Sequence, residues 1–484
     1  MKFLDRVFSN TGFRGPLLTL LSGAGVVFII AYFAQGVITR LYLPEEIGIG
    51  KYFVQVVAAV AAVASLRYED ALMLPEKDKD AAVLVWVSML VLVCTVLLTA
   101  IGALWRHEIA AFIRLPGIAP YLVWVPVALL LMRTGKVAEF WLVRKRAFRR
   151  ISAVHITLTS AMTGTRVLVG APPFNANEAG HIGGFVLGHL VATTAAVTIV
   201  FRRHLRVMVQ SCRWHRIKAA ARRYRRFALY STPAAAISTL VATLPLFLIP
   251  VFIVLDTKVQ LGLYAQAFAA ITVPMGFISR SVAHAFFVNA AEAHLKGNLG
   301  QVTTMVHRHL IMVITFPLLA LLLGGPDCFE IWLGSEFRAS GQYVRYIGGW
   351  LFLSAVVSPL TRVFDVTENQ RLDFALGLLM LIALSTALIL GGRSGNMDTM
   401  LVATGLTGLG ARVVQLVTLL YLARVRATGA LRAYWDFVIL SLPGLGLIGV
   451  ALIWQQPWVT TIAMICGGTL YAALVIWREK FYRF

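Results

Sequence analysis

Ionisable side chains inside long apolar runs are the residues of this sequence whose type and place point to chemistry. Each costs at least about 2.5–3.5 kcal/mol at the centre of a bilayer unless it faces a water-filled cavity or a partner. Arg412 sits near the middle of GLGARVVQLVTLL, with Gln415 one helical turn further along the same face, which calls for a cavity or a buried pair. Arg133, Lys136 and Glu139 recur at i, i+3 and i+6 and form a charged stripe on one helical face. That stripe either lines a wet interior or lets Lys136 and Glu139 meet as an ion pair at the membrane interface. Lys51 and Arg166 lie about one turn inside the ends of their runs, within snorkelling reach of the interface. Arg280 precedes SVAHAFF, so its helix can continue and hold the guanidinium in a cavity. Glu69 and Asp70 follow Arg67 closely and offer either a local salt bridge or a carboxylate able to bind a coupling ion, as does Glu139.

The set is mostly cationic. A guanidinium fork binds two phosphate oxygens at once, so an anionic substrate is favoured. An exporter of organic cations would instead carry acids and aromatics at midplane depth, and few acids lie there. Pro245 and Pro250 interrupt one run, Pro126 and Pro274 two others; each removes a backbone hydrogen bond and can kink its helix, as a gate or as a static bend. No GxxxxGK[ST], HExxH or GxSxG occurs, so the chain has no built-in ATPase and reads as a non-enzyme whose work draws on an external gradient. His307 and His309 are spaced poorly for zinc on a helix, and Cys94, Cys212, Cys328 and Cys466 are scattered without CxxC spacing, so neither a metal, a cofactor nor a disulfide framework is expected.

The elements that must position these charges are transmembrane helices. Hydrophobic residues make up 59% of 484 positions and charged residues 14%, against roughly 25% charged in a soluble chain. A hydrocarbon core needs about 20 apolar residues per helix. Fourteen spans are expected, near 17–39, 47–66, 82–104, 118–141, 152–170, 181–201, 232–255, 260–283, 306–324, 344–361, 373–391, 399–423, 436–454 and 458–477. The runs are apolar on every face, which selects helices over barrel strands.

The net charge of +22 comes from basic residues in alternate short loops, so retention on the cytoplasmic side explains it better than nucleic acid does. Lys2, Arg6 and Arg14, the cluster Arg144 to Arg150, the stretch Arg202 to Arg226, and Arg478, Lys480 and Arg483 all fall on one side, placing both termini in the cytoplasm. The first run is too long for a cleaved signal and reads as an anchor.

The basic stretch from Phe201 to Phe227 divides the chain. The expected organisation is an N-terminal six-helix bundle (1–201), a basic inter-bundle loop (202–228), a second six-helix bundle (229–425) and two additional spans (426–484), with a central cavity between the bundles. A weak repeat at an offset of 212 residues supports two halves: Gly50-Lys51-Tyr52 falls on Gly262-Leu263-Tyr264, and Arg67 and Arg280 each follow the tyrosine by about four helical turns. The longest outward loop, Gly325 to Tyr343, spans only about 19 residues. It leaves no room for an external catalytic domain and weighs against a membrane glycosyltransferase or polymerase.

The segments LLSGAGVVFIIAYFAQGVITRLYLPEEIGIGKYF, SLRYEDALMLPEKDKDA, RRYRRFALYSTPAAAISTLVATLPLFLIP and LGLYAQAFAAITVPMGFISRSVAHAFF together resemble bacterial polysaccharide-unit (O-antigen type) flippases of the multidrug/oligosaccharidyl-lipid/polysaccharide exporter superfamily. The resemblance covers roughly residues 10 to 425. It implies an inner-membrane, multi-pass transporter that moves undecaprenyl-diphosphate-linked oligosaccharide between leaflets by alternating access, driven by a proton or sodium gradient. A polysaccharide polymerase and a chain-length regulator are the expected partners. Lys51, Arg67 and Arg280 lie in the matching blocks; Arg133, Lys136, Arg166 and Arg412 come from the residue reading alone. The two extra C-terminal spans depart from the twelve common in O-antigen flippases, while fourteen occur in peptidoglycan lipid flippases. Export of drugs or of another lipid-linked precursor is the competing reading.

Overall fold

The computed structural model describes residues 14–174 and 177–481; the remaining positions, Lys2, Arg6 and Arg483 with them, and the side chains of Arg14, Arg280 and Lys480 lie outside the described residues. Among the described residues every regular element is a helix. This is what uniformly apolar runs require in lipid, where each backbone N–H and C=O must find its partner within its own segment. The long helices are α1 (Arg14–Leu41), α2 (Pro44–Ala61), α3 (Asp78–Gly102), α4 (Val125–Arg144), α5 (Phe148–Gly170), α6 (Glu178–Ser211), α7 (Trp214–Arg223), α8 (Thr232–Phe252), α9 (Thr257–Leu295), α10 (Leu299–Leu333), α11 (Arg338–Leu360), α12 (Gln370–Gly392), α13 (Met397–Leu422), α14 (Ala427–Ile453) and α15 (Pro457–Phe481).

Each of the fourteen expected runs overlaps a helix, although those over 47–66 and 118–141 are not helical throughout. Among the described residues nine stretches are long and apolar enough to cross a membrane, or ten if Pro116–Leu122 and Val125–Arg144, bent by 57°, form one span. Pro126 stands in the first turn of α4, where its missing N–H is harmless, so the bend falls just before it. α8 runs through Pro245 and Pro250 as one helix.

The chain packs as two compact units, one ending at Gly262 and the other beginning at Leu263, within the first turns of α9. In the first unit α6 is the spine, 34 residues long, and it touches α2, α3, α4 and α5. It continues ten residues past the expected end of its span, from 201 to Ser211. A core of Leu72, Leu84, Trp141, Ile151 and Ala196 fills one end of this unit. In the second unit α11 packs on α10 and α13, and α12 on α13. The pair α14 and α15 docks on α10: the Tyr471 hydroxyl donates to the Met312 carbonyl at 2.6 Å, and His307 meets the Tyr434 hydroxyl at 3.2 Å.

One local expectation is corrected. The span expected over 47–66 leaves the helix at Ala61, and the backbone at Leu66 and Arg67 turns to positive φ (46° and 57°) before a 3-10 turn at Tyr68–Met73. A long-range partner takes up one freed carbonyl, the Thr95 hydroxyl donating to Ala64 O at 3.1 Å, and Arg133 donates to the Ser65 side-chain hydroxyl beside it. Arg67 therefore does not continue the helix of Tyr52, whereas Tyr264 and Arg280 share the unbroken α9.

Candidate functional site

α2 begins where its sequence says it should. Pro44 occupies the first turn, and the Glu46 carboxylate accepts the Leu43 N–H at 2.8 Å, satisfying one of the donors a helix start leaves open. Lys51 is thereby set about two turns in. Gly50 beside it lets α6 approach closely: a Cβ there would lie 2.3 Å from His181 Nδ1. Gly184, a turn further along α6, does the same for α5, where an added Cβ would meet Arg166 Cγ at 2.4 Å. Small residues at crossings are how membrane helices bring their backbones together. Here they gather Lys51, Arg166 and His181 at one place.

Arg166 is only 6% exposed and His181 1%. Arg166 Nε donates to the His181 carbonyl at 3.2 Å, while the Tyr42 hydroxyl donates to the Arg166 carbonyl at 2.8 Å and the Tyr42 ring sits edge-on to His181. Both ring nitrogens of His181 are buried without a hydrogen-bond partner. Lys51 and Arg166 act electrostatically on each other and on His181. Among the described residues no carboxylate forms an ion pair with Lys51 or Arg166. Two cations and a basic ring, desolvated together without a counter-anion, form a place where an anion gains more than in water.

Nearer the other end of α2 the charges are matched. Arg133, 8% exposed, pairs with Glu69, 1% exposed, and with Ser65. One Glu69 oxygen and Arg133 Nε remain without partners. Arg67 pairs with Asp70 at 2.9 Å, and Glu139 is shared between Lys136 at 2.9 Å and His155 at 3.3 Å. The expected stripe on α4 thus divides: Arg133 turns to Glu69, while Lys136 and Glu139 pair with each other and Lys136 also lies over the Phe140 ring at 5.5 Å.

In the second unit Arg412 donates to the Ser354 hydroxyl at 2.9 Å and to Gln415, which reaches Asp373 at 3.5 Å. This chain of polar contacts links α11, α12 and α13. The Arg280 side chain lies outside the described residues.

The sequence reading missed His181, Tyr42 and Asp373. The glycines Gly50 and Gly184 carried a signal for His181, since glycine beside a polar residue in an apolar run marks a close crossing. Asp373 had none, because it stands at the expected start of its span, where acids are ordinary.

The fold is shared with solved membrane transporters. Over 96% of the chain and 99% of the other it superimposes on the lipid II flippase MurJ in an inward closed conformation, with a TM-score of 0.72 and 12% identity. An inward-facing multidrug resistance transporter of the MATE family in the MOP superfamily aligns over 84% of this chain and 96% of its own, with a TM-score of 0.57 and 11% identity. A mutant of the Vibrio cholerae MATE transporter VcmN aligns over 86% and 97%, with a TM-score of 0.54 and 12% identity. No curated protein sequence matches the chain. Residues 37–340 match a polysaccharide biosynthesis protein family, and the chain belongs to that family as a multi-pass membrane protein.

Proposed function

We propose that this protein flips an undecaprenyl-diphosphate-linked oligosaccharide, a unit of O-antigen, capsule or exopolysaccharide, from the cytoplasmic to the periplasmic leaflet of the bacterial inner membrane. Ion-coupled alternating access moves it. The observation that carries this reading is the cluster of half-buried Lys51 with buried Arg166 and His181, which among the described residues has no paired carboxylate. A diphosphate would supply the missing charge: Lys51 binds it as a point charge, Arg166 through its fork, and His181 through one ring nitrogen. Membership of a polysaccharide biosynthesis family supports a glycan-bearing cargo.

We assign the coupling ion, a proton or sodium drawn from the membrane gradient, to Glu69 and Glu139. Glu69 keeps one oxygen without a partner. Arg67, Arg133, Lys136, Arg280 and Arg412 are further cations that meet the cargo as it moves, and bending of α8 at Pro245 and Pro250 serves as the gate. Both termini lie in the cytoplasm. A polymerase and a chain-length regulator act on the delivered glycan.

In a strain that depends on this chain for its surface glycan, a Lys51→Ala, Arg166→Ala variant should abolish surface polysaccharide at unchanged protein level. Normal polysaccharide in that strain contradicts the assignment.

A further inference from the structure

The stretch expected as a basic loop is an ordered, docked helix. α7 runs for ten residues, WHRIKAAARR, with Ile217 8% exposed and packed into the core that Leu72, Leu84 and Trp141 form. Two long-range hydrogen bonds anchor its surroundings: the Tyr68 hydroxyl donates to the Ala221 carbonyl at 3.1 Å, and Trp86 Nε1 donates to the Met208 carbonyl at 2.9 Å. With one side fixed this way, the remainder of the helix is strongly basic. Arg213, Arg216, Lys218, Arg222 and Arg223 are all exposed, as are Arg225 and Arg226 just beyond. The sequence has no Asp or Glu between Glu178 and Asp256, and among the described residues none of these cations forms an ion pair. Trp214, at the start of the helix, is 66% exposed, and Leu229 and Tyr230 stand exposed in the turn that leads into α8.

Holding the chain on one side of the membrane needs only positive residues in the loop. It needs neither an ordered helix nor an exposed indole. A basic helix that carries Trp between two spans has the composition of an interfacial segment, with the indole at headgroup level and the cations on phosphate.

We propose that α7 is a docking surface for anionic phospholipid headgroups of the leaflet it borders. Its cations hold the phosphates, and Trp214 seats in the headgroup region. The occupant is identified by charge complementarity, and the inference stands independently of the transported cargo. Because Tyr68 opens the 3-10 turn that holds Glu69, α7 is joined by one hydrogen bond to the segment bearing the Glu69–Arg133 pair.

Quenching of Trp214 fluorescence by brominated lipid tests this. The chain has 11 Trp, so the Trp214 contribution is taken as wild type minus Trp214→Phe, in vesicles doped with brominated phosphatidylglycerol or brominated phosphatidylcholine. Brominated phosphatidylglycerol should quench that contribution at least about twofold more than brominated phosphatidylcholine. The excess should disappear in 1 M NaCl, where the screening length falls to about 3 Å, and in an Arg213→Gln, Arg216→Gln, Arg222→Gln, Arg223→Gln variant. The salt arm uses the wild-type fold and does not depend on the variant folding. Equal quenching by the two lipids overturns the proposal, and so does quenching by neither, which would place the helix away from the bilayer.

Discussion

The two charged regions of the first unit, near opposite ends of α2, solve the same problem in opposite ways. At Glu69 and Arg133 a buried acid meets a buried base, with Ser65 completing the set. At half-buried Lys51 and buried Arg166 and His181 the groups are all basic, and two ring nitrogens have no partner. A matched pair offsets its desolvation internally, so breaking it harms folding. An unmatched cluster gives the folded protein no such return, so its persistence points to a ligand that supplies the missing charge.

The comparison breaks most sharply under substitution. Removing Arg133 as Arg133→Ala strands the Glu69 carboxylate and should cost about 3–5 kcal/mol, seen as a fall in thermal unfolding temperature and in protein level. Replacing both partners, Glu69→Gln with Arg133→Met, should recover most of that loss. Lys51→Ala with Arg166→Ala should leave the unfolding temperature unchanged or higher while transport is lost. If this pair instead unfolds the protein as Arg133→Ala does, the contrast between the regions is wrong.

Gly50→Ala sharpens the comparison by moving the cluster without touching its charges. The added methyl falls on His181, so α2 and α6 must part, at a cost of about 1–3 kcal/mol. Transport should fall further than stability does, measured on the same purified variant. Smallest is Lys136→Ala: with the Lys136 side chain 43% exposed, its pair with Glu139 should contribute under about 1 kcal/mol in a double-mutant cycle.

Much of this was legible in the residues. Apolar length set the helices, and the rarity of charge inside them singled out Lys51, Arg133, Arg166 and Arg412. Local spacing also disclosed Arg412 with Gln415 and Lys136 with Glu139, because partners three residues apart share a helical face. Pairings across the fold were hidden: Glu69 and Arg133 are 64 residues apart, and nothing in either segment names the other. The break after Ala61 was hidden for the same reason. The sequence VASL stays largely apolar there, and the groups that meet the broken segment, Thr95 on the Ala64 carbonyl and Arg133 on the Ser65 hydroxyl, come from α3 and α4. The basic stretch was read correctly for its charge, but its order depends on Ile217 finding a core built by other helices.

The most direct measurement is transbilayer movement of a polyprenyl-diphosphate-linked oligosaccharide in liposomes containing the purified protein. Wild type and the Glu69→Gln, Arg133→Met variant are followed in the presence of either ion gradient, beside Lys51→Ala, Arg166→Ala. The account predicts that the last falls to the protein-free rate while it remains folded. Movement at the wild-type rate by that variant would contradict it.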